Sequence, residues 1–120
     1  MLKWLAVGLC LATPAVAQDW QGRSGDQGFA PEALQAHLSG QMLEFFDGGQ
    51  SRYDADGSYL WSYAGGGDWY GSWEVSQDST VCVTFVTEVT RCDRIVQNDG
   101  RTVVLTADGQ RFPVRRMLAQ

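Results

Sequence analysis

Asp-Gly occurs four times beyond Gly40, at 47–48, 56–57, 99–100 and 108–109. It is the dipeptide that best tolerates the positive φ angles of tight hairpin turns. Within each couple the two occurrences stand nine residues apart, which leaves room for one strand between turns. Short runs of β-branched and aromatic residues fill the intervals. Eight strands are expected, at about 41–46, 50–54, 58–64, 68–76, 80–86, 89–96, 102–107 and 110–117. Consecutive hairpins need no long crossover, whereas a Greek-key sandwich requires one. Closure also removes the exposed edges of an open sheet. The expected fold is all-β, a small antiparallel up-and-down barrel of about eight strands.

Ahead of the strands, "APEALQAHLSG" reads as one short helix. Pro31 suits the first helical position, Glu32 favours the positive end of the dipole, and Gly40 supplies the stop. Leu34 and Leu38, four apart, give it an apolar stripe, with His37 beside them. Residues 18–29 are polar and glycine-rich, which marks a flexible N-terminal arm. The first residues, MLKWLAVGLCLATPAVA, combine one lysine, an apolar run and the small-residue pattern Ala15-Val16-Ala17. That is the layout of a secretory signal peptide cleaved after Ala17. The run falls short of the ~20 apolar residues that span a bilayer, so no membrane anchor is expected. Leu9 stands where lipid attachment at Cys10 wants a small residue. The expected organisation is a signal peptide at 1–17, the arm at 18–29 and one barrel domain with its leading helix at 30–120, exported to the periplasm.

Without the leader the chain carries eight arginines against fourteen carboxylates and no lysine, a net charge of about −6. The excess negatives are scattered, which argues against nucleic acid, whose phosphates demand a basic face. Two cysteines remain, Cys82 and Cys92, ten residues apart about a turn expected near Thr87. An even count in an oxidising compartment implies one disulfide across that hairpin. Zinc wants four ligands, and the lone histidine lies on the helix, so neither metal nor other cofactor is expected. "DADG" at 54–57 is no calcium loop, because Gly65 stands where the bidentate glutamate belongs and Ser58 where a third acid belongs. "AGGGD" at 64–68 lacks the lysine and following helix of a phosphate loop.

Nucleophilic triads need a histidine that His37 is badly placed to supply. Glu74 and Asp93 sit on strands where an inward-facing carboxylate pair is conceivable. Arg91 and Arg94 flank Asp93, and a salt bridge along the strand accounts for it more simply. The chain is therefore read as non-catalytic.

The content lies in "SYLWSYAGGGDWYGSW", residues 58–73. Alternation puts Tyr59, Trp61 and Tyr63 on one face of a strand, and Trp69, Gly71, Trp73 and Val75 on one face of the next. Leu43, Phe45, Tyr53, Phe85, Leu105, Phe112 and Val114 are further inward candidates. That much bulk can fill a small barrel, while the polar tips of Trp and Tyr beside Gly65–Gly67 suit a ligand pocket at the mouth. Both readings stand on the sequence. In the pocket reading Tyr59, Trp61, Tyr63 and Trp69 bind ligand, while Trp73 belongs to the core.

A helix running into "LSG", then Tyr53, Asp56-Gly57 and Tyr59, then "GSW" at 71–73, then Cys82 and Cys92, resembles small exported bacterial lipocalin-like β-barrel domains. Lipocalins carry Gly-x-Trp on the first strand; here it falls on the fourth. Such domains mostly lack an assigned activity, so the resemblance implies the barrel and carries over no functional residue; the expectation of a binding protein for a small apolar or aromatic ligand rests on the aromatic run. A fainter likeness is to periplasmic inhibitors of proteases and lysozymes, which implies a protein partner reached through the N-terminal arm.

Overall fold

The structure, a computed structural model, describes residues 20–120. The expected signal peptide at 1–17 and the start of the arm lie outside the described residues. In chain order the elements are β1 (Gln27–Gly28), α1 (Pro31–Leu38), β2 (Gln41–Phe45), β3 (Gln50–Tyr53), β4 (Ser58–Ser62), β5 (Asp68–Val75), β6 (Thr80–Phe85), β7 (Thr90–Asn98), β8 (Arg101–Thr106) and β9 (Arg111–Ala119). Each of β2 to β9 pairs antiparallel with the next, and β9 returns to β2, which closes an eight-stranded up-and-down barrel. The fold expected from the turn spacing is the fold observed.

Six hairpins share one design. In each, the first turn residue accepts a hydrogen bond from the N–H three residues on and donates its own N–H to the carbonyl four residues on, as Phe45 does with Gly48 and Gly49. The fourth residue then adopts a left-handed backbone: Gly48, Gly57, Gly66, Ser79, Glu88 and Gly109. This is a type I turn closed by a bulge. Positive φ at both residues of an Asp-Gly pair occurs only at Asp99-Gly100, the two-residue turn between β7 and β8. Elsewhere aspartate contributes differently: Asp47 Oδ1 accepts the Gly49 N–H at 2.8 Å and Asp56 Oδ1 accepts that of Ser58 at 2.9 Å. Those side-chain bonds fix the turn locally, and the glycine supplies the left-handed step.

Closure sorts the side chains. Leu43, Phe45, Tyr53, Tyr59, Trp73 and Val83 belong to one buried cluster inside the barrel. The helix joins it through Leu34 and Leu38, both fully buried, so the apolar stripe of α1 seals the end at which β2 begins. Gly40, at φ +76, turns the chain from helix into β2. The hairpins β2–β3, β4–β5, β6–β7 and β8–β9 all fall at the opposite, open end.

Leu105, expected inside, faces outward. It forms a second cluster with Val96 and Val103, covered by Trp20. Residues 102–105 are all buried, because β8 has the barrel core on one face and the N-terminal segment on the other. A strand covered on both faces loses the alternation that marks its inner side.

The described part of the segment expected as a flexible arm is strapped to the barrel wall. Asp26 forms a two-pronged pair with Arg111, at 2.7 and 3.1 Å, and accepts a bond from Asn98 at 2.8 Å. These bonds hold its carboxyl far below the usual carboxylate range. β1 pairs with β7 at Gln27↔Gln97 and Gly28↔Val96, beyond the point where β6 stops pairing. The strap thus covers an edge that β7 would otherwise leave bare. Nothing in the polar composition of 18–29 signals this, because the partners Asn98 and Arg111 lie far along the chain.

Cys82 and Cys92 face each other in the β6–β7 register and are joined by a disulfide. Among the described residues no helix is long and apolar enough to cross a membrane.

The turns generate a prediction. A left-handed non-glycine residue costs roughly 1–2 kcal/mol, and glycine returns part of that through its own entropy. Glu88→Gly, at φ +75, should therefore stabilise the protein by up to about 1 kcal/mol in urea denaturation. Gly48→Ala should destabilise it, because the new Cβ would lie 2.8 Å from that of Ala64. Loss of stability in Glu88→Gly would contradict the turn assignment.

Candidate functional site

The open end of the barrel holds a cavity of about 440 Å³. Its walls are contributed by Phe45 and Phe46 on the β2–β3 side, Trp61 on β4, Val104 on β8, and Phe112 and Pro113 on β9. Asp47, Ser51, Tyr53, Arg91, Asp93 and Thr106 supply its polar lining. The residue pairs that place them are cross-strand neighbours: Ser51 opposite Trp61, Val104 opposite Phe112, and Phe45 opposite Val114. Directly opposed residues share a face of the sheet, so each pair delivers its side chains to the same interior.

Trp61 is set by two contacts. Its ring meets Phe45 with centroids 5.9 Å apart and Tyr63 edge-on at 5.4 Å. Gly49 makes room for it, since a Cβ there would stand 2.7 Å from Trp61 Cη2. Gly71, paired with Tyr59, admits the close approach of β6: a Cβ there would meet the Thr84 carbonyl oxygen at 2.5 Å and Phe85 Cα at 3.0 Å.

The aromatic run therefore divides. Trp61 lines the cavity. Tyr59 is buried in the core, and only its hydroxyl reaches the polar lining, bonding the Ser51 hydroxyl at 2.9 Å. Tyr63 and Trp69 are about half exposed and lie at the rim, outside the cavity lining. Trp73 is core, packed edge-on against Tyr53, its indole N–H donated to the Asp54 carbonyl at 2.8 Å. The rim carries further exposed apolar residues, Phe46, Val86, Val89 and Phe112, on three of its four hairpins.

The sequence points to an inward-facing carboxylate at Asp93 or to its salt bridge along the strand, but not to Arg91 and Asp93 together as cavity lining. Arg91 and Asp93 both point inward from β7, opposite Val83 and Val81. The expected salt bridge is present, Arg91 Nε to Asp93 Oδ2 at 3.2 Å, but it lies inside the barrel. Asp93 is 1% exposed, and its Oδ1 has no hydrogen-bond partner among the described residues. Burial raises the proton affinity of Asp93 above the ordinary carboxylate range, against the opposing pull of Arg91. Burial likewise pushes the Tyr53 and Tyr59 hydroxyls upward. The available signal was the spacing of two, Arg91-x-Asp93, on a strand whose opposite face carries the disulfide.

Other candidates fall elsewhere. His37 stacks on Phe29 at 4.6 Å and shares a 3.0 Å hydrogen bond with Thr102 Oγ1, and burial lowers its proton affinity. Glu74 is exposed on the outer face, so it forms no carboxylate pair with Asp93. Among the described residues no group of histidine, cysteine and carboxylate side chains is arranged to hold a metal ion.

No family model, curated protein or solved structure matches the chain. The cavity and its chemistry thus rest on this molecule's own geometry.

The raised proton affinity of Asp93 has a direct consequence for stability. Above the ordinary carboxylate value of 3.8 the folded protein holds this proton more tightly than the unfolded chain, so the contribution of Asp93 to stability falls as pH rises. Wild type should lose stability relative to Asp93→Asn between pH 3.8 and neutrality, measured as the difference in unfolding free energy at matched pH. A difference that does not change with pH would contradict the burial of this carboxyl.

Proposed function

We propose that the chain is an exported, non-catalytic β-barrel that holds a small apolar or aromatic ligand in the cavity at its open end. The observation that carries this reading is the cavity itself. At about 440 Å³ it lies within the usual size of small-molecule sites, and its walls are mainly aromatic and aliphatic with a few convergent polar groups. The disulfide fits an oxidising compartment, and the periplasm is the compartment proposed.

The non-catalytic reading is supported by the separation of His37 from the cavity lining and by the outward placement of Glu74. A hydrolase inhibitor working through its N-terminal arm is not favoured, because the described part of that arm is engaged by Asn98 and Arg111.

Titration of intrinsic tryptophan fluorescence with the uncharged probes decanol and 2-naphthol tests the reading. Binding should perturb the emission, and Trp61→Phe should remove most of that response while Trp69→Phe preserves it. No response to either probe, or one that survives Trp61→Phe and vanishes in Trp69→Phe, would overturn the cavity as the site.

A further inference from the structure

Arg91 is the sole cation among the residues lining the cavity, where Asp47 and Asp93 are the acids. A guanidinium offers five N–H donors in a planar fork. One of them is used at 3.2 Å on Asp93 Oδ2, and Nη2 stands 3.5 Å from the Tyr59 hydroxyl, where little hydrogen-bond strength remains. Nη1 has no hydrogen-bond partner among the described residues. The Arg91 side chain keeps 43% of its surface exposed, against 1% for Asp93. An entering group therefore meets the outer edge of the guanidinium and not the carboxylate behind it.

An unmatched guanidinium edge beside apolar walls is complementary to two acceptor oxygens spaced as in a carboxylate. We propose that the cavity binds a monocarboxylate with an apolar body, its two oxygens on the Nη1–Nη2 edge of Arg91 and its body against Phe45, Trp61 and Phe112. This rests on the binding-barrel reading above and adds the chemistry of the ligand's polar end. Asp93 then acts as a positioning residue: its bond to Nε aims the fork into the cavity, while its negative charge opposes the incoming carboxylate. An amine-bearing ligand would find Asp93 Oδ1 buried and would bring its cation against the guanidinium, while the other lining acid, Asp47, lies exposed at the β2–β3 turn with Oδ1 already accepting the Gly49 N–H.

The test compares decanoate, decanol and decylamine, and separately 2-naphthoate and 2-naphthol, by calorimetry on wild type, Arg91→Gln, Arg91→Lys and Asp93→Asn. A carboxylate should bind about ten-fold tighter than its alcohol, the effect expected of charge-assisted hydrogen bonds, in at least one of the two series. The series that shows the advantage separates an aliphatic from an aromatic body. Arg91→Gln should abolish the advantage, so that the carboxylate binds no tighter than its alcohol. Arg91→Lys, which keeps the charge and loses the fork, should restore only part of it. Asp93→Asn should tighten carboxylate binding several-fold, because it removes the opposing charge and keeps the shape. If Arg91→Gln fails to fold, the ranking of probes on wild type decides. Alcohol or amine binding as tight as carboxylate, or a carboxylate advantage that survives Arg91→Gln, overturns the proposal and leaves the binding barrel standing. If no probe binds wild type, both fall.

Discussion

The pairing of β2 with β9, from Gln41↔Ala119 to Phe45↔Val114, is the constraint on which the rest of the molecule depends. Without it the eight strands are an open meander with two bare edges and no interior. With it, alternate residues on every strand are committed to one enclosed space. The register slips between Glu44 and Phe45. Successive strand residues normally point to opposite faces, yet Arg115 and Arg116 both reach Glu44, at 3.2 and 3.1 Å. The bulge is what brings both guanidinium groups to one carboxylate, and this ionic cluster sits on the outer face of the closing seam. Its worth is modest, since both arginines are more than half exposed. Its effect is to favour one register over a slipped one.

Closure also explains why the interior is not solid. α1 seats Leu34 and Leu38 in one end, and Tyr53, Tyr59 and Trp73 pack edge-to-face around the middle, with ring centroids 5.1 and 5.3 Å apart. Towards the open end the pattern changes. Ser51 is small, Gly49 lacks a side chain, and the Arg91–Asp93 pair on β7 replaces apolar bulk. The space that remains is the cavity. Core and pocket are thus successive layers of the same barrel, and the aromatic run between residues 58 and 73 passes through both.

Much of this was legible in the sequence. Turn spacing located every barrel strand to within a few residues, and the ten-residue separation of Cys82 and Cys92 gave their pairing because both flank one hairpin. The division of the aromatics was legible only in part. Trp73 could be placed in the core from its mid-strand position, but Trp61 and Trp69 are opposed in register, and strand position alone does not distinguish the one that lines the cavity from the one left half exposed. Leu105 was misplaced because β8 is covered on both faces. The Arg91–Asp93 bridge was legible from the spacing along β7, but its place inside the barrel was not, because a charged pair on a strand is read as solvent-facing and one that compensates itself inside a barrel breaks that rule. The strap was invisible because Asp26 finds its partners more than seventy residues away, at Asn98 and Arg111.

Arg91 and Asp93 also mark where the molecule departs from what stability alone would select. A buried carboxylate with an unmatched oxygen costs free energy, and apolar residues of similar volume would pack there at less cost. Such departures from local consistency concentrate at functional positions. The central claim is that this polar pair and the aromatic wall facing it enclose a ligand. The most direct test is measurement of intermolecular nuclear Overhauser effects between decanoate and the labelled protein. Contacts are expected from the alkyl chain to the Phe45, Trp61 and Phe112 rings, and none to Trp73. Contacts confined to Tyr63, Trp69 and Val86 on the outer rim would contradict it.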